Sequence, residues 1–64
     1  MNRIVKILMR REDLTREEAE DWVNETREMM EDAIANGDYE EAEDILASEL
    51  GLEPDYIPDI LGVF

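Results

Sequence analysis

The chain has 64 residues, 19 of them acidic and six basic, with a formal net charge of −13 and neither cysteine nor histidine. So short a chain has room for one domain over residues 1–64, with one small core. The missing residue types exclude disulfide staples, thiolate nucleophiles, imidazole bases and the usual zinc ligands together.

The distribution of charge says more than its sum. Residues 1–11 carry Arg3, Lys6, Arg10 and Arg11 and no acid; beyond them two cations, Arg16 and Arg27, face all 19 acids, which leaves −17. Such a body repels nucleic acid and anionic membrane and invites basic partners. No apolar run approaches the roughly 18 residues of a membrane span, and the opening apolar stretch is short and broken by Lys6, unlike a secretory signal. The expectation is a soluble, cytoplasmic protein.

Residues 2–11 fit a strand or a helix by composition, but a lone strand would have no partner. Ile4, Ile7 and Leu8 share one side of a helix, with Arg3, Lys6 and Arg10 opposite and Asn2 as N-cap. Arg10 and Arg11 then face the negative end of the helix dipole. A tight connection around Asp13 leads to an antiparallel neighbour.

Residues 14–37 predict one long amphipathic helix. Thr15 followed by Glu18 is a capping box, and Leu14 can staple onto Ala19. Ala19, Trp22, Val23, Thr26, Met29, Met30, Ala33 and Ile34 fill an arc of about 140° at 100° per residue. Glu17, Glu20, Asp21, Glu25, Glu28, Glu31 and Asp32 occupy the far side, and Asn36 with Gly37 ends the helix.

A third helix over residues 38–50 starts at Asp38, an N-cap three residues before Glu41, and ends at Gly51. Its apolar stripe is Tyr39, Ala42, Ile45, Leu46 and Leu50. Pro54 suits the first turn of a new helix, whereas Pro58 restricts that helix to one or two turns. Residues 54–61 should therefore form a short helical or 3₁₀ piece that brings Tyr56, Ile57, Ile60 and Leu61 to the open end of the bundle. The predicted fold is all-α, a small antiparallel three-helix bundle with a long central helix and a short C-terminal helical turn.

The ending GLEPDYIPDIL (residues 51–61), preceded by a helix that stops just before its glycine, follows EEAEDW (residues 17–22) and a basic opening segment. This combination resembles short, acidic, largely uncharacterised proteins of bacteriophages and prophage-bearing bacteria, over most of the chain. The resemblance implies a phage-associated accessory protein and carries over no catalytic residue.

Catalysis by paired carboxylates needs two acids held across a rigid cleft, one with a raised pKa. Here the acids lie on convex helix faces, and Ser48 and Lys6 have no histidine partner. Residues 36–44 do not reproduce the spaced oxygen ligands of an EF-hand loop. No enzyme activity, cofactor or metal site is expected. The face with Trp22, Met29 and Met30 could form an adaptable groove for a partner helix, although residues at this spacing in a small bundle are more often core. The cations Arg3, Lys6 and Arg10 are better read as pairing within the molecule than as phosphate contacts, so direct nucleic-acid binding is not expected.

The acidic face of the long helix goes further than solubility requires. Glu17–Asp21, Asp21–Glu25 and Glu28–Asp32 are unfavourable like-charge pairs, relieved only by Arg16 against Glu20 and Arg27 against Glu31. Seven carboxylates from Glu17 to Asp32 span about 22 Å, roughly 3 Å per charge, against about 3.4 Å per phosphate along a DNA strand. The leading expectation is therefore a protein that binds a basic host protein, such as a DNA-binding protein, through Glu17, Asp21, Glu25, Glu28 and Asp32, as a DNA mimic or inhibitor. The plainer reading of the same residues is a solvated surface. The alternative function is a structural or regulatory subunit that dimerises or docks through an apolar C-terminal patch of Ile57, Ile60, Leu61, Val63 and Phe64. Either reading suits a monomer or weak homodimer.

Overall fold

The computed structural model describes residues 3–62, in the order α1 (Arg3–Glu12), α2 (Arg16–Ala35), α3 (Tyr39–Leu50), a 3₁₀ turn (Pro54–Tyr56) and α4 (Ile57–Leu61). No strand occurs among the described residues, so the all-α expectation holds, with helix boundaries within a residue or two. Asn2, Val63 and Phe64 lie outside the described residues.

The connections are closed by backbone turns and polar groups, most of them local. After α1, Asp13 takes the left-handed conformation at φ 54°, one that aspartate tolerates better than bulkier residues. Thr15 then caps α2 in a reciprocal box: Glu18 N–H donates to Thr15 Oγ1 at 3.2 Å, and Thr15 N–H donates to Glu18 Oε1 at 2.9 Å. Half-buried Leu14 packs against the core from the position before the cap, as a staple residue should.

Between α2 and α3 the three residues Asn36, Gly37 and Asp38 make a full Schellman closure. Gly37, at φ 78°, donates to Ile34 O, and Asp38 N–H donates to Ala33 O, both at 2.9 Å. The Asp38 side chain simultaneously accepts from Glu41 N–H at 3.1 Å, so one residue ends α2 and begins α3. At the far end of α3, Gly51 turns left-handed at φ 66°, and the Arg11 guanidinium donates to Leu50 O at 2.6 Å.

The core is assembled around α2. Ile4, Val5 and Leu8 of α1, Ala19, Val23, Thr26, Met30 and Ala33 of α2, and Ala42, Leu46 and Leu50 of α3 are buried together. α2 packs on both α1 and α3; the 3₁₀ turn lies on α3, and α4 lies on α1 and α2. Leu52, Ile57 and Ile60 complete the core from this C-terminal segment. Buried Thr26 donates its hydroxyl to Trp22 O at 3.0 Å, which satisfies the one polar side chain in the buried set. At 1.5 Å per residue the 20-residue α2 is about 30 Å long, close to the 34 Å longest dimension of the molecule. No helix is long and apolar enough to cross a membrane among the described residues.

Three expected core positions are corrected. Trp22 is half-buried and Met29 is 41% exposed. The buried residues of α2 fill only about 80° of its circumference, and Trp22 and Met29 fall just beyond one edge of that arc. A chain this small covers a narrower stripe of its central helix than the apolar pattern offers. Tyr39 is 54% exposed because it occupies the first turn of α3, one turn before the first buried residue, Ala42.

Candidate functional site

The candidate surface begins with the continuity of α2. Its interior contains no proline or glycine, so the 3.6-residue period runs unbroken and fixes the direction of every side chain. Glu17, Asp21, Glu25, Glu28 and Asp32 follow one another at spacings of four and three and lie within about 80° of the helix circumference. All five are exposed. The centre of this stripe is about 160° from the centre of the buried arc, so the carboxylates stand on the surface farthest from the core.

The two flanks of the stripe differ. On one side Glu20 is half-buried and accepts from Arg16 Nε at 3.3 Å, one turn earlier, as expected from the spacing. The second expected relief, Arg27 to Glu31, is absent among the described residues. Arg27 instead lines a groove between α1 and α2 with Val5, Glu20, Asp21, Val23 and Asn24, where its long stem can cover apolar surface. On the other side, an open groove between α2 and α3 is lined by Met29, Asp32, Ala33, Asn36, Glu41 and Ile45.

The basic residues of α1 divide into two kinds. Arg3 pairs with Asp59 and lies over the Tyr56 ring, 4.7 Å from its centroid, while Arg11 donates to Glu12 at 2.9 Å as well as to Leu50 O. Lys6 and Arg10 make no ion pair among the described residues, so the expected internal pairing holds for Arg3 alone of the Arg3, Lys6 and Arg10 stripe. Together with Ile7 these four cations line a shallow depression on α1.

The C-terminal residues meet a different fate from the one a docking patch requires. Ile57 and Ile60 are 4% and 1% exposed, because the 3₁₀ turn lies on α3 and α4 folds its apolar side onto α1 and α2. Leu61 is half-buried, and Phe64 and Val63 lie outside the described residues. The isoleucines proposed as surface anchors are thus core residues.

No group of three or more acidic side chains converges closely enough to hold a metal ion among the described residues. The Glu18 carboxyl is held below its ordinary 4.5, chiefly by the backbone hydrogen bond from Thr15 and then by the Thr15 hydroxyl, with slight opposition from desolvation. That shift belongs to a helix cap rather than to a reacting group. Sequence reasoning found the stripe by its spacing but missed the exposure of Met29; its place at the very edge of the apolar arc was the available signal. No family model, curated protein or solved structure matches this chain.

Proposed function

We propose that this chain is a non-enzymatic accessory protein of the phage type that binds a basic partner through the acidic stripe of α2 and competes with DNA for it. The observation that carries this reading is the placement of Glu17, Asp21, Glu25, Glu28 and Asp32 on one unbroken ridge opposite the core, with all five exposed. Like charges one turn apart each cost a few tenths of a kcal/mol in an isolated helix. A surface selected only for solubility would intersperse cations and avoid that cost, whereas a surface that meets a basic partner recovers it on binding. The apolar alternative has weaker support, since two of its anchors are in the core.

The test is capture from bacterial lysate at low and high salt, followed by displacement of labelled DNA from the purified partner. The complex should weaken steeply with salt. Changing Asp21, Glu25, Glu28 and Asp32 together to lysine should abolish it with helicity unchanged, and deleting residues 62–64 should matter little. A fourfold variant that binds as tightly as the parent would reduce the stripe to a solvated surface.

A further inference from the structure

The groove beside the stripe adds an apolar element to an otherwise charged surface. Met29 stands 41% exposed at its edge, Ala33 is buried, and Ile45 is half-buried along it. Every charged residue that lines it, Asp32 and Glu41, is acidic. On α2 the exposed Glu25 lies one turn before Met29 and Asp32 one turn after it, close enough for both carboxylates to flank anything seated on the thioether.

We propose that this groove receives the apolar face of a basic amphipathic helix of the partner. One apolar side chain would rest on Met29 and Ile45, and lysines or arginines one turn to either side would face Glu25, Asp32 and Glu41. An amphipathic helix laid in an apolar groove is a recurring recognition mode, and an unbranched methionine adapts to varied apolar contacts. A second copy of this chain fits poorly: it brings its own −13, and the apolar side of its one basic helix, α1, is committed to its own core through Ile4, Val5 and Leu8. An extended basic tail would satisfy the carboxylates but leave Met29 unused. The inference rests on the stripe reading and specifies the partner element.

The test uses two synthetic Leu/Lys peptides of identical composition and about five helical turns. In one the leucines form a single face; in the other they are spread around the helix. Binding to the whole protein is followed by fluorescence anisotropy at low and high salt. The one-faced peptide should bind about threefold to tenfold more tightly, the range expected for burying a partly exposed methionine side chain. M29S should remove that preference by lowering affinity for the one-faced peptide far more than for the spread peptide, and M29L should retain it. Because Met29 is exposed, circular dichroism of both variants should match the parent. Equal binding of the two peptides by the parent, or a preference that survives M29S, overturns the groove. If the fourfold lysine variant meanwhile loses both peptides, the stripe stands without the groove; if it keeps its affinity for the spread peptide, the stripe reading itself has failed.

Discussion

Asp13 combines two local costs at one position. It holds a left-handed backbone at φ 54° and places a negative charge beyond the negative end of the α1 dipole. D13N keeps a residue that tolerates this backbone and removes the charge, so the urea midpoint should rise by the equivalent of about 0.3–1 kcal/mol. The opposite arrangement holds at Glu18, whose charged form is favoured in the folded cap. With its folded pKa depressed, the stabilisation is complete above the unfolded value near 4.5 and is lost as pH falls through the folded value. E18Q should therefore melt below the parent at neutral pH, and the gap should close in acid. A gap that persists at about pH 2 would assign the effect to packing rather than charge.

α2 and α3 were legible because their ends fall on residues with recognisable roles: the Thr15 and Glu18 caps, the Gly37 turn, the Asp38 cap and the Gly51 turn, with Pro54 opening the next segment. Burial on α2 was less so. Periodicity orders residues around a helix, but how wide an arc becomes covered depends on how much neighbouring chain there is, and that separated Met30 from Met29. The short α4 is the clearest tertiary effect, since nothing local distinguishes an apolar turn that docks from one that waits for a partner. I60A should cost about 2–5 kcal/mol, against a total of roughly 3–10 kcal/mol for a domain this size. A sharp fall in thermal midpoint is the expected readout; a melt like the parent's would return the isoleucine to the surface. The acidic ridge was readable from spacing alone, whereas the Arg3–Asp59 and Arg11–Leu50 contacts join positions too far apart in sequence for any local pattern to specify.

For the whole molecule, self-repulsion is the dominant electrostatic feature. A net −13 on 64 residues opposes compaction, while the surface pairs Arg3–Asp59, Arg11–Glu12 and Arg16–Glu20, each with at least one exposed partner, contribute at most about 1 kcal/mol apiece. Adding neutral salt at constant pH should consequently raise the melting temperature. A fall would mean that those few pairs outweigh the crowded carboxylates.

The attachment of Arg11 to Leu50 O and of Arg3 to Asp59 also sets an order of events during translation. The α2–α3 hairpin turns within three residues and draws on neighbours that leave the ribosome soon after one another. α1 is made first, yet its guanidinium contacts involve a carbonyl and a carboxylate synthesised near the end. The earliest segment therefore docks on α2 through its apolar side and is locked only when the end of the chain arrives, and a chain ending at residue 53 should open α1 to protease more readily than the full chain does.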